Sequence, residues 1–454
     1  MEHAITKLFD GTTLSGPQIE KLVKWLQVAP KTTTIRVNLL HTSTDNVISY
    51  ILETLEKCDL PGLPIVQRLP DIPEMIIIHS IDKNLINRLP KSGYKEIIVD
   101  VCCAAAVLRG AHIYCPGILA MQSNTKLDEM VNIFADVEGA CRKGTNIVYS
   151  SKSKLFVGIG QVKMQRFQLF RSESKGIAVR VHETVSCVPS IGSDYLVNQQ
   201  SLLQNFPSIV CSRVLSPKPN EIILDMCASP GNKTTHIAQL MQDTGLLIAL
   251  DKSKSRVAVL KENIQRFKLK SVHVHAYDAT KALSKLCKDN WLPPFTEESF
   301  DRILLDAPCS GMGNRPVLAT KMSPNILSSF PKLQKKLLDT AVKLLKINGT
   351  LVYSTCSVME AENELNVAYI LEKYGPQIEL ETANPLFGRK GLPNTGLSDL
   401  QRAMVQRFGP DLEDLENQDT FIDSTGLDVN CKFKTTKRDL FRLGVKLLLN
   451  LSPL

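Results

Sequence analysis

Two cysteines follow apolar runs that have the composition of buried strands. Cys309 lies in the stretch FDRILLDAPCSGMG, and Cys356 lies in LVYSTCS. A single cysteine is more often a small buried residue than a reactive one. Two of them at the carboxyl ends of strands in one parallel sheet would share the edge where ligands bind, and this favours a thiol that acts as a nucleophile.

A thiol nucleophile suits methyl transfer to a pyrimidine. Carbon 5 of the ring is too poor a nucleophile to attack a methyl donor, so a thiolate first adds at carbon 6 and moves electron density onto carbon 5. A carboxyl group such as that of Asp306 can assist at N3 and bind the exocyclic amine of cytosine. The carbon 5 proton and the sulfur must then leave, so one thiol attacks and a second residue can assist release.

A third loop has the composition of a nucleotide site. It lies in LDMCASPGNKTTHIA, between an apolar run and a helix predicted to continue to Met241. Small residues let the backbone approach a ligand, and the helix start offers free N–H groups. The dinucleotide pattern G-x-G-x-x-G is absent, and Cys227 and Asn232 replace the two glycines of a P-loop. A nucleoside without polyphosphate fits better, which points to S-adenosylmethionine.

Two further carboxylates follow predicted strands. Asp251 comes 26 positions after Asp225, where a doubly wound fold places an acid on ribose hydroxyls. Asp278 follows the next run and can address the edge of an adenine ring. An Asp at such a position is often only a helix cap or turn former, so both interpretations stay open for each residue.

The elements that position these loops form an α/β pattern. From residue 221 onwards, apolar runs alternate with helical segments, which predicts a parallel sheet with helices on both faces. Before them, strands at 32–38 and 74–78 and a helix at 45–58 predict a small α/β module. Short β-like runs at 96–101, 112–114, 131–134, 146–148, 155–157 and 177–181 predict a β-barrel-like domain.

The predicted domains are therefore an accessory α/β module at 1–92, a barrel domain at 93–185 and a catalytic domain at 186–454. Residues 410–430 are acidic and polar, which predicts a loop or linker.

Composition limits the class of protein. With 454 residues, of which 43% are hydrophobic and 22% charged, the chain is typical of folded proteins and unlike collagen-like, coiled-coil or disordered chains. The net charge of +8 suits a polyanionic partner without requiring one. More than half of the basic surplus lies between residues 109 and 183.

Location and redox state also follow from the composition. No apolar run approaches the roughly 20 residues of a membrane span, and the first residues lack the pattern of a secretory signal, so we expect a cytoplasmic protein. The 12 cysteines are scattered, and no pair has C-x2-C spacing. We therefore expect reduced thiols, no metal site and no membrane partner.

The three quoted stretches, followed by Glu362-Asn363-Glu364, resemble the RsmB/Sun-type RNA (cytosine-5) methyltransferases over residues 217–371. The resemblance implies a Rossmann-like S-adenosylmethionine methyltransferase domain. It assigns Cys356 as the nucleophile and Cys309 as the residue that assists release, and it places Asp306 and Lys233 near the base. The cofactor-binding residues it implies are Cys227, Ala228, Ser229, Pro230, Gly231, Asn232, Lys233, Asp251, Asp278 and Asp306. Asn232 replaces the second glycine of the family's Gly-Gly-Lys, and asparagine tolerates left-handed backbone.

The barrel region resembles a PUA domain, an RNA-binding barrel, in the stretch VLRGAHIYCPGI, and IRVN is similar to the start of the family's accessory domain. A PUA domain before the catalytic core is similar to the PUA-containing branch of the NSun family. This implies a tRNA substrate, methylated near the 3′ end of the acceptor stem, with the PUA domain on the CCA end. We expect RNA contacts from Arg109, Tyr114, Arg142, Lys143 and Arg180, although each could be an ordinary solvated side chain.

Two other functions are weighed against this one. A P-loop NTPase is disfavoured by the missing glycines. An RNA-binding protein with an inactive methyltransferase fold is disfavoured by the intact cysteine pair. We expect a monomer.

Overall fold

The computed structural model describes residues 2–57, 60, 62–86, 89–171, 175–192, 196–197, 199–286, 291–320, 322–413 and 443–447. Most of the predicted 410–430 linker and most of the C-terminal tail lie outside these residues. The described helices are α1 (Glu2–Thr6), α2 (Gly16–Gln27), α3 (Thr44–Glu56), α4 (Val101–Leu108), α5 (Arg166–Leu169), α6 (Phe206–Leu215), α7 (Asn232–Leu240), α8 (Lys254–Arg266), α9 (Pro324–Leu344), α10 (Glu364–Tyr374) and α11 (Asp399–Met404).

The described strands form three sheets. They are β1 (Thr32–Val37), β2 (Val66–Leu69), β3 (Ile72–His79), β4 (Lys95–Val99), β5 (Ile113–Tyr114), β6 (Ile118–Met121), β7 (Met130–Ala135), β8 (Leu155–Val162), β9 (Ile177–Thr184), β10 (Ser201–Leu203), β11 (Ile222–Asp225), β12 (Leu246–Asp251), β13 (Val272–Ala276), β14 (Phe300–Asp306), β15 (Leu345–Ser354), β16 (Ile378–Leu380) and β17 (Leu443–Leu447). No helix in these ranges is long and apolar enough to cross a membrane.

The first sheet has the order β10-β1-β3-β2, and its strand pairs are antiparallel. Helix α3 covers it because Val47, Ile51 and Leu55, spaced four residues apart, are buried on one helix face. The predicted strand–helix–strand module is thus confirmed. Its edge strand β10 comes after the second sheet in the chain, so this sheet takes residues from beyond the predicted boundary at 185.

The second sheet has the order β5-β9-β8-β7-β4-β6. The run predicted at 96–101 ends at Val99, because the Asp100 side chain accepts from the Cys103 N–H and starts α4. The prediction of a strand at 146–148 is wrong. Only Thr145 makes a bridge, to Ala120, and the next apolar residues find no packing partner, since Ile147 is 71% exposed. The closed barrel remains a prediction.

The third sheet has the order β13-β12-β11-β14-β15-β17-β16, and all its strand pairs are parallel. Side chains along β12 alternate between two cores: Leu247 and Ala249 pack with α6, α7 and α8, whereas Ile248 and Leu250 pack with α9 and α10. This confirms the predicted parallel sheet with helices on both faces. The strand order reverses between β11 and β14, so their carboxyl ends border the crevice where such folds bind ligands.

The small first sheet packs directly on the third. Its Ile72, Met75 and Ile77 share one apolar core with α6 and α7. Polar contacts reinforce this junction: Arg36 Nη2 donates to Thr235 Oγ1 at 2.8 Å, and Glu74 lies 2.9 Å from His236 Nε2. The N-terminal module therefore supports the helix that begins at the predicted cofactor loop.

Candidate active site

The thiols of Cys309 and Cys356 meet at the carboxyl edge of the third sheet. Their sulfur atoms are 2.8 Å apart, and the Cys356 N–H donates to the Cys309 sulfur at 3.2 Å. The two loops are brought together because β14 and β15 are paired, with Asp306 opposite Ser354. The hydrogen bond with Cys356, burial and nearby negative charge raise the pKa of Cys309 well above its usual value, so this thiol keeps its proton at neutral pH.

An ion pair lies beside the thiols. Lys233 Nζ donates to Asp306 Oδ2 at 2.9 Å, and Ser354 Oγ donates to Oδ1 at 2.6 Å. Burial lowers the pKa of Lys233, but the charge of Asp306 outweighs burial, and the pKa lies above its usual range. The lysine stays charged and fixes the orientation of a carboxylate that is 31% exposed and can reach a ligand.

A cavity of about 580 Å³ joins the predicted cofactor residues to the thiols. Its size falls in the range of small-molecule sites. The lining residues include Cys227, Ala228, Ser229, Pro230, Asn232, Lys233, Asp251, Asp278, Asp306, Cys309 and Cys356. Gly231 is not among them. It has φ +109°, and a Cβ there would lie 2.7 Å from Leu260 Cδ1, so backbone conformation and packing explain this glycine.

Asp251 and Asp278 both cap local structure and line the cavity. Asp251 Oδ1 accepts from the Ser253 N–H at 2.9 Å, and its other oxygen lies 3.4 Å from Arg256 Nη2. Asp278 accepts from Thr280 and pairs with Lys252 at 3.0 Å. Burial raises the pKa of Asp278, but these bonds prevail and lower it. The cap and ligand interpretations are therefore compatible for each residue.

The site also contains residues that we did not predict. Asp225, at the end of β11, lines the cavity, and burial raises its pKa to about 7. Thr234 donates to its Oδ2 at 2.7 Å, while its Oδ1 has no hydrogen-bond partner among the described residues. Tyr277 and Arg256 line the cavity as well. The position of Asp225 at the mouth of a strand was the available signal.

The residues predicted to bind RNA are separated in the structure. Arg109 and Tyr114 line a second cavity of about 350 Å³ between the first sheet, the second sheet and the catalytic domain. Burial lowers the pKa of Arg109 to about 10, and its Nη1 donates to the Arg315 carbonyl at 3.1 Å. Tyr114 is 48% exposed. Asn232 lines both cavities.

The remaining predicted RNA residues lie away from this cavity. Arg142 and Lys143 are exposed, and Lys143 makes only a long contact, 3.4 Å from its Nζ to the Pro116 carbonyl. Arg180 is half-buried on β9. RNA contact by these residues remains a prediction.

The described part of the site suits a nucleoside cofactor. Two carboxylates end neighbouring strands β12 and β13, and the cavity leads from them to the thiols. Across the described residues there is no group of three His, Cys, Asp or Glu side chains that could hold a metal ion. Fold and site together define a Rossmann-like S-adenosylmethionine-dependent methyltransferase.

Comparisons with known proteins agree with this class. The 16S rRNA methyltransferase RsmB/F family matches residues 212–401, and the PUA domain family matches residues 95–185. The tRNA (cytosine(72)-C(5))-methyltransferase NSUN6 of Homo sapiens is 41% identical over 437 residues, covering 94% of this chain and 89% of that protein. The Mus musculus protein of the same name is also 41% identical, covering 90% of this chain and 85% of that protein.

A solved structure is similar over nearly the whole chain. It is NSun6 from Pyrococcus horikoshii with the S-adenosylmethionine analogue SFG, with a TM-score of 0.68 and 30% identity, covering 91% of this chain and 94% of that one. The chain belongs to the RsmB/F-type RNA (cytosine-5) methyltransferase family. It is a transferase that uses S-adenosylmethionine, and the predicted family and cofactor are confirmed.

Proposed function

We propose that this enzyme methylates carbon 5 of a cytosine near the 3′ end of the tRNA acceptor stem. The observation that carries the chemistry is the thiol pair, with sulfur atoms 2.8 Å apart on the wall of the cofactor cavity. The substrate rests on similarity to proteins named for cytosine 72 of tRNA and on the PUA domain.

The side chains divide the reaction between them. S-adenosylmethionine, when bound, supplies an electrophilic methyl group. Cys356 adds as a thiolate to carbon 6, while Asp306, held by Lys233 and Ser354, stabilises the pyrimidine edge. After carbon 5 is methylated and loses its proton, the Cys356 sulfur leaves and the double bond re-forms. Cys309, which keeps its proton, assists this release.

The cofactor residues hold the nucleoside. Asp251 and Asp278 face it from the ends of β12 and β13, and the 227–233 loop lies against its other end. Asp225 presents an unpaired carboxylate oxygen to the same cavity and is a further candidate for the cofactor's polar groups.

The second cavity suits the end of an RNA chain. It touches the cofactor cavity at Asn232 and is lined by Arg109 and Tyr114, which can contact a phosphate and stack on a base. A target base must leave its stack at a cost of a few kcal/mol, which is lower near a frayed helix end. A base pair next to the single-stranded CCA end meets this condition.

Three further proposals concern organisation. The division at 92/93 and 185/186, with β10 returning to the first sheet, describes an accessory module, a PUA domain and a catalytic domain. We also propose that the enzyme acts as a monomer and that it works in the cytoplasm.

The test is methyl transfer from labelled cofactor to tRNA. The substrate is an unmodified transcript with cytosine at position 72, the position named in the relatives, and the matched controls have uracil there or lack CCA. Label is expected at that cytosine only, located by bisulfite sequencing, and loss of CCA should reduce it. Stoichiometric binding without transfer would instead support the inactive RNA-binding alternative, and transfer only to rRNA would overturn the substrate.

A further inference from the structure

A buried carboxylate joins the two cysteine loops. Glu362 ends the short turn Glu360–Glu362 and is 1% exposed. Its Oε1 accepts from the hydroxyls of Ser310 and Ser357, each at 2.5 Å. Its Oε2 accepts from the Ser310 N–H at 2.9 Å. Because each serine directly follows one cysteine, a single side chain ties together the loops that carry both thiols.

The same carboxylate reaches the other side of the Cys309 loop through Gln334 on α9. Gln334 Nε2 donates to Glu362 Oε2 and to the Pro308 carbonyl, both at 3.0 Å. The Cys356 loop has a parallel support: Thr355 donates to Asn363 at 2.6 Å, and Asn363 donates to the Ser357 carbonyl at 2.7 Å. Residues before and after each cysteine are therefore held.

The other two acids of the same segment serve different parts of the molecule. Glu360 accepts from the N–H and hydroxyl of Thr13, near the N-terminus. Glu364 accepts from Arg407 and from the Leu392 N–H, both on the C-terminal side. Among these three acids, only Glu362 bonds the residues that adjoin the cysteines.

A purely structural role does not account for this arrangement. Burying an ionised carboxylate is costly unless it is fully hydrogen-bonded, and apolar packing of equal volume is often as stable. Here all four donors come from residues that fix the cysteine loops or their support. The thiols themselves bond mainly each other, so their spacing depends on the loops being held.

We propose that Glu362 is a positioning residue that sets the spacing of the Cys309 and Cys356 thiols, so that both reach one pyrimidine. The proposal rests on the proposed function, because it assumes that both thiols act in one reaction. A misplacement of about 1 Å can cost about 100-fold in rate, so the turnover number should depend on this carboxylate.

Its charge has a second consequence. The negative charge of Glu362 is one of the causes that raise the pKa of Cys309, after the hydrogen bond with Cys356 and burial. Removing that charge lowers the pKa and increases the thiolate fraction of Cys309 at a given pH. Alkylation of Cys309 should then become faster, a change that a loss of stability alone does not produce in folded protein.

The experiment compares Glu362→Gln with the matched control Glu360→Gln in the full chain. Both change a buried acid of one turn, but only the first touches the cysteine loops. For Glu362→Gln we expect kcat to fall about 100-fold, with unchanged dissociation constants for S-adenosylmethionine and tRNA. Iodoacetamide should alkylate Cys309 faster, measured by mass spectrometry of the folded protein. Glu360→Gln should match the parent in each measurement.

Three outcomes would overturn the proposal: parental kcat in Glu362→Gln, an equal loss in Glu360→Gln, or unchanged Cys309 alkylation. If Glu362→Gln does not fold, Ser310→Ala and Ser357→Ala each remove one tie. Their effects on kcat should be non-additive when combined, and parental kcat in both would contradict the role. The alkylation measurement needs no RNA, so failure of the tRNA proposal would appear separately, as a parent that alkylates as expected but transfers no methyl group.

Discussion

The catalytic edge and the PUA surface hold their functional side chains in different ways. At the catalytic edge, Asp306 is fixed by Lys233 and Ser354, and the cysteine loops are tied to Glu362. On the PUA surface, Arg142 and Lys143 extend into solvent, with one contact at 3.4 Å. Bond-making needs atoms placed within fractions of an ångström, whereas phosphate neutralisation tolerates mobile charges.

The difference predicts that the first region responds to single atoms and to pH, and the second to ionic strength. Four predictions test this, beginning with the largest effect.

Cys356→Ala should abolish methyl transfer without any covalent RNA complex, because no nucleophile remains to activate carbon 5. The expected loss in kcat is at least about 10⁴-fold, the scale of nucleophile loss in other covalent catalysts. Label transfer and denaturing gels measure it. Cys211→Ala, which changes a buried thiol on α6 outside the cavity, is the control and should transfer methyl groups. An adduct in the Cys356 variant would mean that the two roles are reversed.

Cys309→Ala should stop turnover after the first methyl transfer. The nucleophile remains, so a covalent protein–RNA complex should accumulate that resists denaturation and carries the transferred label. Heating with and without nuclease, followed by mass spectrometry, identifies the attachment at Cys356. Normal multiple turnover in this variant would remove Cys309 from the release step.

The buried junction behind the cofactor helix should make stability depend on pH. Burial lowers the pKa of His236 to about 4, from 6.5. Between these values the unfolded chain binds more protons than the folded one, so stability falls as pH falls through this window. The expected loss is about 3 kcal/mol.

Urea unfolding at several pH values measures this dependence, and His236→Gln should reduce it. Glu74, whose pKa the bonds from His236 and Arg213 lower despite burial, adds stability that is lost only at more acidic pH. An identical pH dependence in the parent and in His236→Gln would contradict the assignment.

Replacing Arg142 and Lys143 with Ala should weaken tRNA binding about tenfold and reduce its salt dependence by about 0.7 to 0.9 per lost phosphate contact. Turnover at saturating RNA should be unchanged. The control removes the same charge from Lys218 and Lys270, exposed residues before β11 and β13 at the opposite edge of the sheet. Equal binding losses in both double variants would show a general charge effect, and none in either would remove Arg142 and Lys143 from the interface.

Sequence patterns predicted the third sheet well because each strand was an apolar run followed by a functional loop. They failed where tertiary contacts outweigh local preference. The run at 146–148 has strand-like residues but no partner strand, and α4 begins at an Asp100 cap within an apolar stretch. Strand β10 joined the first sheet through a pairing with Ile35 and Arg36 that is 165 or more residues away in the chain.

The sequence by itself determined the chemistry, because the thiols, Asp306 and the cofactor loop lie next to strands whose parallel order brings their ends to one edge. Only the tertiary structure decided which polar groups hold that edge in place. Glu362 contacts Ser310 across 52 positions, and the N-terminal Glu74 contacts His236 across 162. Such contacts leave no periodic signal in the chain, since a buried hydrogen bond depends on where two distant segments meet and not on the spacing within either.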